Sequence, residues 1–156
     1  MAVVAAKVHP IARRGAHEEV ATVMDSIRSI VHTLRVSSRE IEQKLGISSA
    51  QLYVLHELKD SPALSINDLA ERTFTHQSSV SMVVARLVDS RLVTRTASRA
   101  DGRRLAVSLT PAGRAILRRS PATAQTRLIN ALREMSRSDL RGLAAGLDTL
   151  IGRMAD

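Results

Sequence analysis

The hydrophobic period of this chain changes once and then changes back, and that switch constrains the fold more than any other feature. From Val20, apolar residues at 20, 23, 24, 27, 30, 31, 34, 41 and 45 keep helical spacing for about seven turns and predict a long amphipathic helix ending near Gly46. Between Leu92 and Leu109 the period drops to two. Leu92-Val-Thr-Arg-Thr96 and Leu105-Ala-Val-Ser-Leu109 alternate, and Ser98-Arg-Ala-Asp-Gly-Arg-Arg104 separates them. Two β-type runs around an Asp-Gly signal predict a hairpin with a wide turn. Past Thr110 the helical spacing returns. The expected class is mostly α with one small β-hairpin.

Local punctuation divides the helical parts. Ser48-Ser-Ala-Gln51 reads as a capping box opening a helix with Leu52, Leu55 and Leu58 inward, and Ser61-Pro62 closes it. Ser65-Ile-Asn-Asp68 is a second box, for a short helix reaching about Arg72. Thr73-Phe74-Thr75 then makes a tight turn into a helix from about His76 to Ser90. Val80, Val83, Val84, Leu87 and Val88 form its apolar side. Two short helices joined by a three-residue turn are a helix-turn-helix, and a hairpin behind one is a wing.

Thr110-Pro111 restarts helix with Thr as cap and Pro in the first position. Ile116, Leu117, Leu128, Ile129 and Leu132 should face inward along it, and Pro121 should kink it near residues 118–120. Ser138 with Asp139 begins the last helix. There Leu140, Leu143, Leu147, Leu150 and Met154 recur at 3-4-3-4 spacing, a coiled-coil-like seam. Gly142 and Gly146 each cost roughly 1 kcal/mol against Ala in a helix, and close helix approach is the usual reason to keep them.

Charge is concentrated. The chain carries a net +8, and residues 86–119 hold nine arginines (86, 91, 95, 99, 103, 104, 114, 118, 119) against Asp89 and Asp101. That window is +7, so it alone accounts for nearly the whole excess. Arginine across a helix end and a hairpin favours phosphate binding over a merely solvated face.

Other classes fall away on composition. Cysteine is absent, which removes disulfide scaffolds, thiol catalysis and thiol redox sensing. Tyr53 and Phe74 are the only aromatic residues, too few for modules that stack bases on several rings. No nucleophile elbow, phosphate-cradling Gly loop, zinc-helix motif or acid–base pair is found, so no enzyme is expected, and neither is a cofactor. His9, His17, His32, His56 and His76 include no pair at i, i+4, so no metal is expected. The longest apolar runs are too short to span a bilayer, and residues 1–16 read as a flexible tail rather than a signal peptide. The expected location is cytoplasmic.

The strongest stretch, Ser79-Val-Ser-Met-Val-Val-Ala-Arg-Leu-Val-Asp-Ser-Arg-Leu-Val-Thr-Arg95, is followed by Asp101-Gly-Arg103 and Leu109-Thr-Pro-Ala-Gly113. The last two match an Asp-x-Arg wing signature and a Leu-Thr-x-x-Gly motif. With the order of elements, the chain resembles the MarR family of winged-helix transcription regulators over roughly residues 18–154. The resemblance implies a regulator protomer over 17–156, with a winged-helix lobe at 48–110 and dimerisation helices at 17–46 and 111–156. It departs at Arg91, where the family usually has Gly just past the recognition helix.

The resemblance further implies a homodimer on double-stranded DNA, as a ligand-responsive repressor on a pseudo-palindromic operator. Gln77, Ser78, Ser79, Ser81, Met82 and Arg86 form the expected major-groove set. Arg103 is expected in the minor groove, oriented by Asp101, with Arg95, Arg99 and Arg104 on phosphates. His32, Arg35, Arg39, Tyr53 and His56 are candidates for a cleft taking a small anionic or aromatic ligand. A non-specific architectural DNA-binding protein, held by the arginine window alone, remains the alternative.

Overall fold

The computed structural model describes residues 10–61, 63–97 and 105–155, with side chains from residue 15 onward. Among these the order is α1 (Pro10–Leu45), α2 (Ser49–Leu58), β1 (Leu64–Ser65), α3 (Ile66–Thr73), α4 (Gln77–Asp89), β2 (Val93–Ala97), β3 (Leu105–Leu109), α5 (Pro111–Arg119), α6 (Ala124–Glu134) and α7 (Arg137–Ala155). The chain divides after Val36 into two units, Met1–Val36 and Ser37–Asp156.

Both serine boxes form as the sequence predicts. Ser48 Oγ accepts the Gln51 N–H at 3.2 Å while Gln51 Oε1 accepts the Ser48 N–H at 2.9 Å. Asp68 and Ser65 make the same reciprocal pair at the start of α3. Each box satisfies two donors that a helix N-terminus would otherwise leave open. α1 stops where expected, with Gly46 left-handed at φ 68 and its N–H on the Glu42 carbonyl.

The core of the second unit collects one face from each of α2, α3, α4 and the sheet. Leu52, Leu55 and Leu58 of α2, Leu69 of α3, Val80, Val84 and Leu87 of α4, Val93 of β2 and Val107 and Leu109 of β3 are buried together with Ile41 and Ile47. The sheet order is β1-β3-β2, antiparallel throughout, with Val93 opposite Leu109 and Arg95 opposite Val107. β1 was not foreseen: its two residues pair Leu64 with Val107 and Ser65 with Ala106. A two-residue strand carries no readable alternation, and its Ser65 serves also as the cap of α3.

Three further expectations are corrected. Helix begins at Pro10, inside the stretch read as a tail, because Pro is favourable in the first helical position and Ala, Arg and Glu follow it. Pro121 breaks the helix rather than kinking it. Ser120, the residue before the proline, is driven to an extended backbone (φ −88, ψ 139), and a new helix starts with Thr123 as cap, its hydroxyl accepting the Thr126 N–H. Ala124 at the head of α6 gives its N–H to Ser37 Oγ at 3.2 Å. The cap of α7 is Ser136 and not Ser138: Ser136 Oγ accepts the Asp139 N–H at 3.1 Å. Ile116, Leu117, Leu128, Ile129 and Leu132 are half-buried, and Leu105 is exposed because the hairpin runs out beyond the core.

Candidate nucleic-acid interface

The turn between α3 and α4 is built by a left-handed residue. Phe74 sits at φ 51, its N–H reaching the Glu71 carbonyl at 3.2 Å, and the Thr75 N–H reaches the Ala70 carbonyl at 3.0 Å. Two such bonds close a helix C-terminus around a left-handed corner. Thr73 is buried and returns its hydroxyl to the Leu69 carbonyl at 2.7 Å, while Thr75 Oγ1 donates to the Thr73 carbonyl. The geometry turns the chain sharply and sets α4 across α3.

α4 begins with open donors. His76 occupies the cap position but makes no side-chain cap bond, and no acid stands in the first turn. Such an end presents free backbone N–H groups and the positive end of the helix dipole, a natural seat for a phosphate. Behind it, Val80, Val84 and Leu87 anchor one face in the core. Gln77, Ser78, Ser81, Met82 and Arg86 are exposed on the other. Ser79 is only half exposed and lines a cavity of about 100 Å³ with Tyr53, Val83 and Gln125, which sets it apart from the other five. Ala85 is exposed on the outward face and was absent from the expected set. Its position three past Met82 and four past Ser81 was the readable signal, and an Ala methyl is a fit partner for a thymine methyl.

The far end of α4 repeats the left-handed corner. Arg91 lies at φ 56, its N–H on the Val88 carbonyl at 2.8 Å and the Leu92 N–H on the Leu87 carbonyl at 2.9 Å. The helix therefore ends as it would with Gly, and the Cβ of Arg91 is carried in a conformation costing about 1 kcal/mol. Thr110 Oγ1 donates to the Arg91 carbonyl at 2.8 Å, and α5 packs so tightly on Leu92 that a Cβ on Gly113 would fall 2.2 Å from its carbonyl oxygen. These contacts fix the base of the hairpin against the end of α4. Arg95 is exposed on β2. Arg99, Asp101, Arg103 and Arg104, expected at the wing tip, lie outside the described residues.

The ligand-cleft candidates separate. His32 and Arg35 are exposed on α1 in the first unit, and Arg39 is exposed in the second. Tyr53 is buried, with its hydroxyl 3.4 Å from the Arg72 carbonyl. Burial, and then the charge of Glu57, raise its pKa against the opposing pull of Arg133. His56 is half-buried, Nε2 lying 3.3 Å from Ser120 Oγ at the α5–α6 break. Burial first, and the charge of Lys59 second, hold its imidazole below the ordinary value. Among the described residues no cluster of three His, Asp or Glu could hold a metal ion, and no helix is long and apolar enough to cross a membrane.

A helix-turn-helix followed at once by a paired hairpin, on a helical frame, defines a winged helix-turn-helix protein. The comparisons agree on a narrower group. A model of the MarR family matches residues 45–104, which run from the end of α1 to the wing. The chain is 29% identical over 100 residues to the HTH-type transcriptional repressor MdtR of Bacillus subtilis, a match spanning 64% of each chain. A solved structure of a probable transcriptional regulator from Pseudomonas aeruginosa is 30% identical, with a TM-score of 0.56 over 82% of this chain and 96% of that one. The transcriptional regulator BldR from Sulfolobus solfataricus shares the fold at 22% identity, with a TM-score of 0.59 over 94% of this chain and 99% of that one. The chain belongs to the MarR family.

Proposed function

We propose that the chain is a sequence-specific transcriptional repressor that binds a pseudo-palindromic operator as a homodimer, one α4 in each of two successive major grooves. The observation that carries this reading is the division of α4 into a core face of Val80, Val84 and Leu87 and an outward face of Gln77, Ser78, Ser81, Met82, Ala85 and Arg86. A merely structural helix of this length has no reason to pair an uncapped, acid-free N-terminus with an adjoining basic hairpin. Base edges are read from α4, while Arg95, Arg99 and Arg104 hold phosphates and Arg103, oriented by Asp101, enters the minor groove. Apolar residues left exposed on α1 and α7 are the surfaces for the second copy.

Release by a small ligand is part of the same proposal. The cavity beside Tyr53 borders Ser79, Val80 and Val83 of α4, so a molecule seated there would act directly on the reading helix. Tyr53 and Gln125 supply polar groups at the cavity wall.

The test is selection of bound duplexes from a randomised pool by the purified protein and two variants. Arg86→Ala should relax discrimination at one or two major-groove base pairs. Arg103→Ala should cost ~1–3 kcal/mol per half-site, concentrated on sites with A·T-rich flanks. If both variants weaken every sequence evenly, the arginines are phosphate clamps and a non-specific architectural role replaces this reading. The unmodified dimer, with ~6–10 phosphate contacts, should lose ~10³–10⁵-fold in affinity between 50 and 200 mM salt.

A further inference from the structure

Arg91, like Phe74 at the other end of α4, is an exposed residue that the fold holds at a cost. Its φ of 56 is a conformation that a Cβ disfavours, yet the two closing bonds and the Thr110 hydroxyl on its carbonyl keep it there. Neither core packing nor an internal partner accounts for its side chain. It is exposed, and no described residue forms an ion pair with it.

Its place in the chain suggests what it meets. Arg91 follows the end of α4 by two residues and precedes β2 by two. With α4 in a major groove and the wing at the neighbouring minor groove, the connection between them crosses the sugar-phosphate strand dividing the two grooves. Asp89 is also exposed on that crossing and would repel the strand. Arg91 is the cation that answers it, and a guanidinium grips a phosphate with two parallel bonds.

We infer that Arg91 is a DNA-backbone contact between the recognition helix and the wing, maintained against the conformational preference of its own backbone. The inference rests on the DNA-binding reading above and assigns a residue outside the reading face and the wing tip. Arg91 sets register on the duplex and carries no sequence information.

Two variants separate backbone from charge. Arg91→Gln keeps the strained Cβ and removes the cation. Arg91→Gly removes both. Thermal melting and salt-dependent DNA binding are measured on the full chain, with Arg86→Ala beside them as a base-reading control. Arg91→Gln should melt with the unmodified protein, and Arg91→Gly should melt higher by about 2–4 °C. Both should weaken binding evenly across sequences and make the slope of log affinity against log salt shallower by about 1 per protomer. An unchanged salt slope in both variants would overturn the inference even if Arg91→Gly melts higher. An unmodified protein that binds no duplex would remove the repressor reading and this contact together, whereas normal binding with altered specificity only in Arg86→Ala removes this contact alone.

Discussion

At the scale of single residues, the two corners that bracket α4 are both left-handed without glycine. Phe74 offsets part of its conformational cost with a contact: the Arg133 guanidinium lies 5.7 Å from its ring centroid, although the ring is 69% exposed. A cation over an exposed ring is worth about 0.5–1 kcal/mol, close to the penalty of the corner itself. Phe74→Gly should therefore leave stability within about 0.5 kcal/mol of the original, while Phe74→Ala, which keeps the corner and loses the ring, should destabilise by about 0.5–1 kcal/mol. Urea midpoints for the pair check this, and equal losses would show that the corner carries no strain. His56 makes a pH prediction. Burial and Lys59 hold its folded pKa below the ordinary 6.5, so between those two values the unfolded chain binds a proton that the folded chain refuses. Its contribution is whole above about pH 6.5 and is lost as the pH falls toward the depressed value. His56→Gln should reduce the drop in melting temperature between about pH 7.5 and about pH 5.5; an undiminished drop would assign the acid sensitivity elsewhere.

At the scale of elements, close contacts matter more than propensity. Gly113 is the clearest case, because a Cβ there would press on the Leu92 backbone rather than on a flexible side chain. Gly113→Ala should destabilise by about 1–3 kcal/mol and disturb the wing base, measured as a lower urea midpoint together with weaker DNA binding. Leu87→Ala, wholly within the core, should cost about 2–5 kcal/mol by the same measurement. What the sequence revealed follows the same division. The serine boxes, the Thr110-Pro111 restart and the alternation of residues 105–109 are local signals with local causes, and each appears where read. β1 was invisible because its reason to be a strand is pairing with Ala106 and Val107, more than forty residues away. The outcome at Pro121 turned on Thr123, which caps a fresh helix once the chain has been broken. The outward set on α4 was legible because valines marked its opposite face. Half-buried Ser79 was not, since its cavity is shared with Tyr53 and Gln125 from other helices.

For the whole molecule, the decisive question is what covers the apolar seam of α7. Leu140, Leu143, Leu147 and Leu150 repeat at the spacing of a helix-packing seam, yet no residue of α7 is buried, and Leu147 in mid-seam is 44% exposed. The Gly142 and Gly146 positions fit this picture, since a Cβ on either meets nothing within 4 Å in the described chain. A seam that a single copy leaves open is what a second copy is expected to close. That makes a prediction sharper than general instability. Because Leu147 is exposed and is not part of the buried core that α2, α3, α4 and the sheet form, Leu147→Glu should dissociate the dimer and spare the fold of the winged lobe. Light scattering should give the protomer mass, circular dichroism should keep the helical signal of the lobe, and operator binding should fall steeply, since two half-sites are no longer held by one particle. Leu87→Ala supplies the contrast, lowering the stability of the lobe itself. A variant that stays dimeric with Glu at 147, or an unmodified protein that scatters as a monomer, would mean that the seam is covered by something other than a second copy, and the pairing of two α4 helices on successive grooves would lose its physical basis.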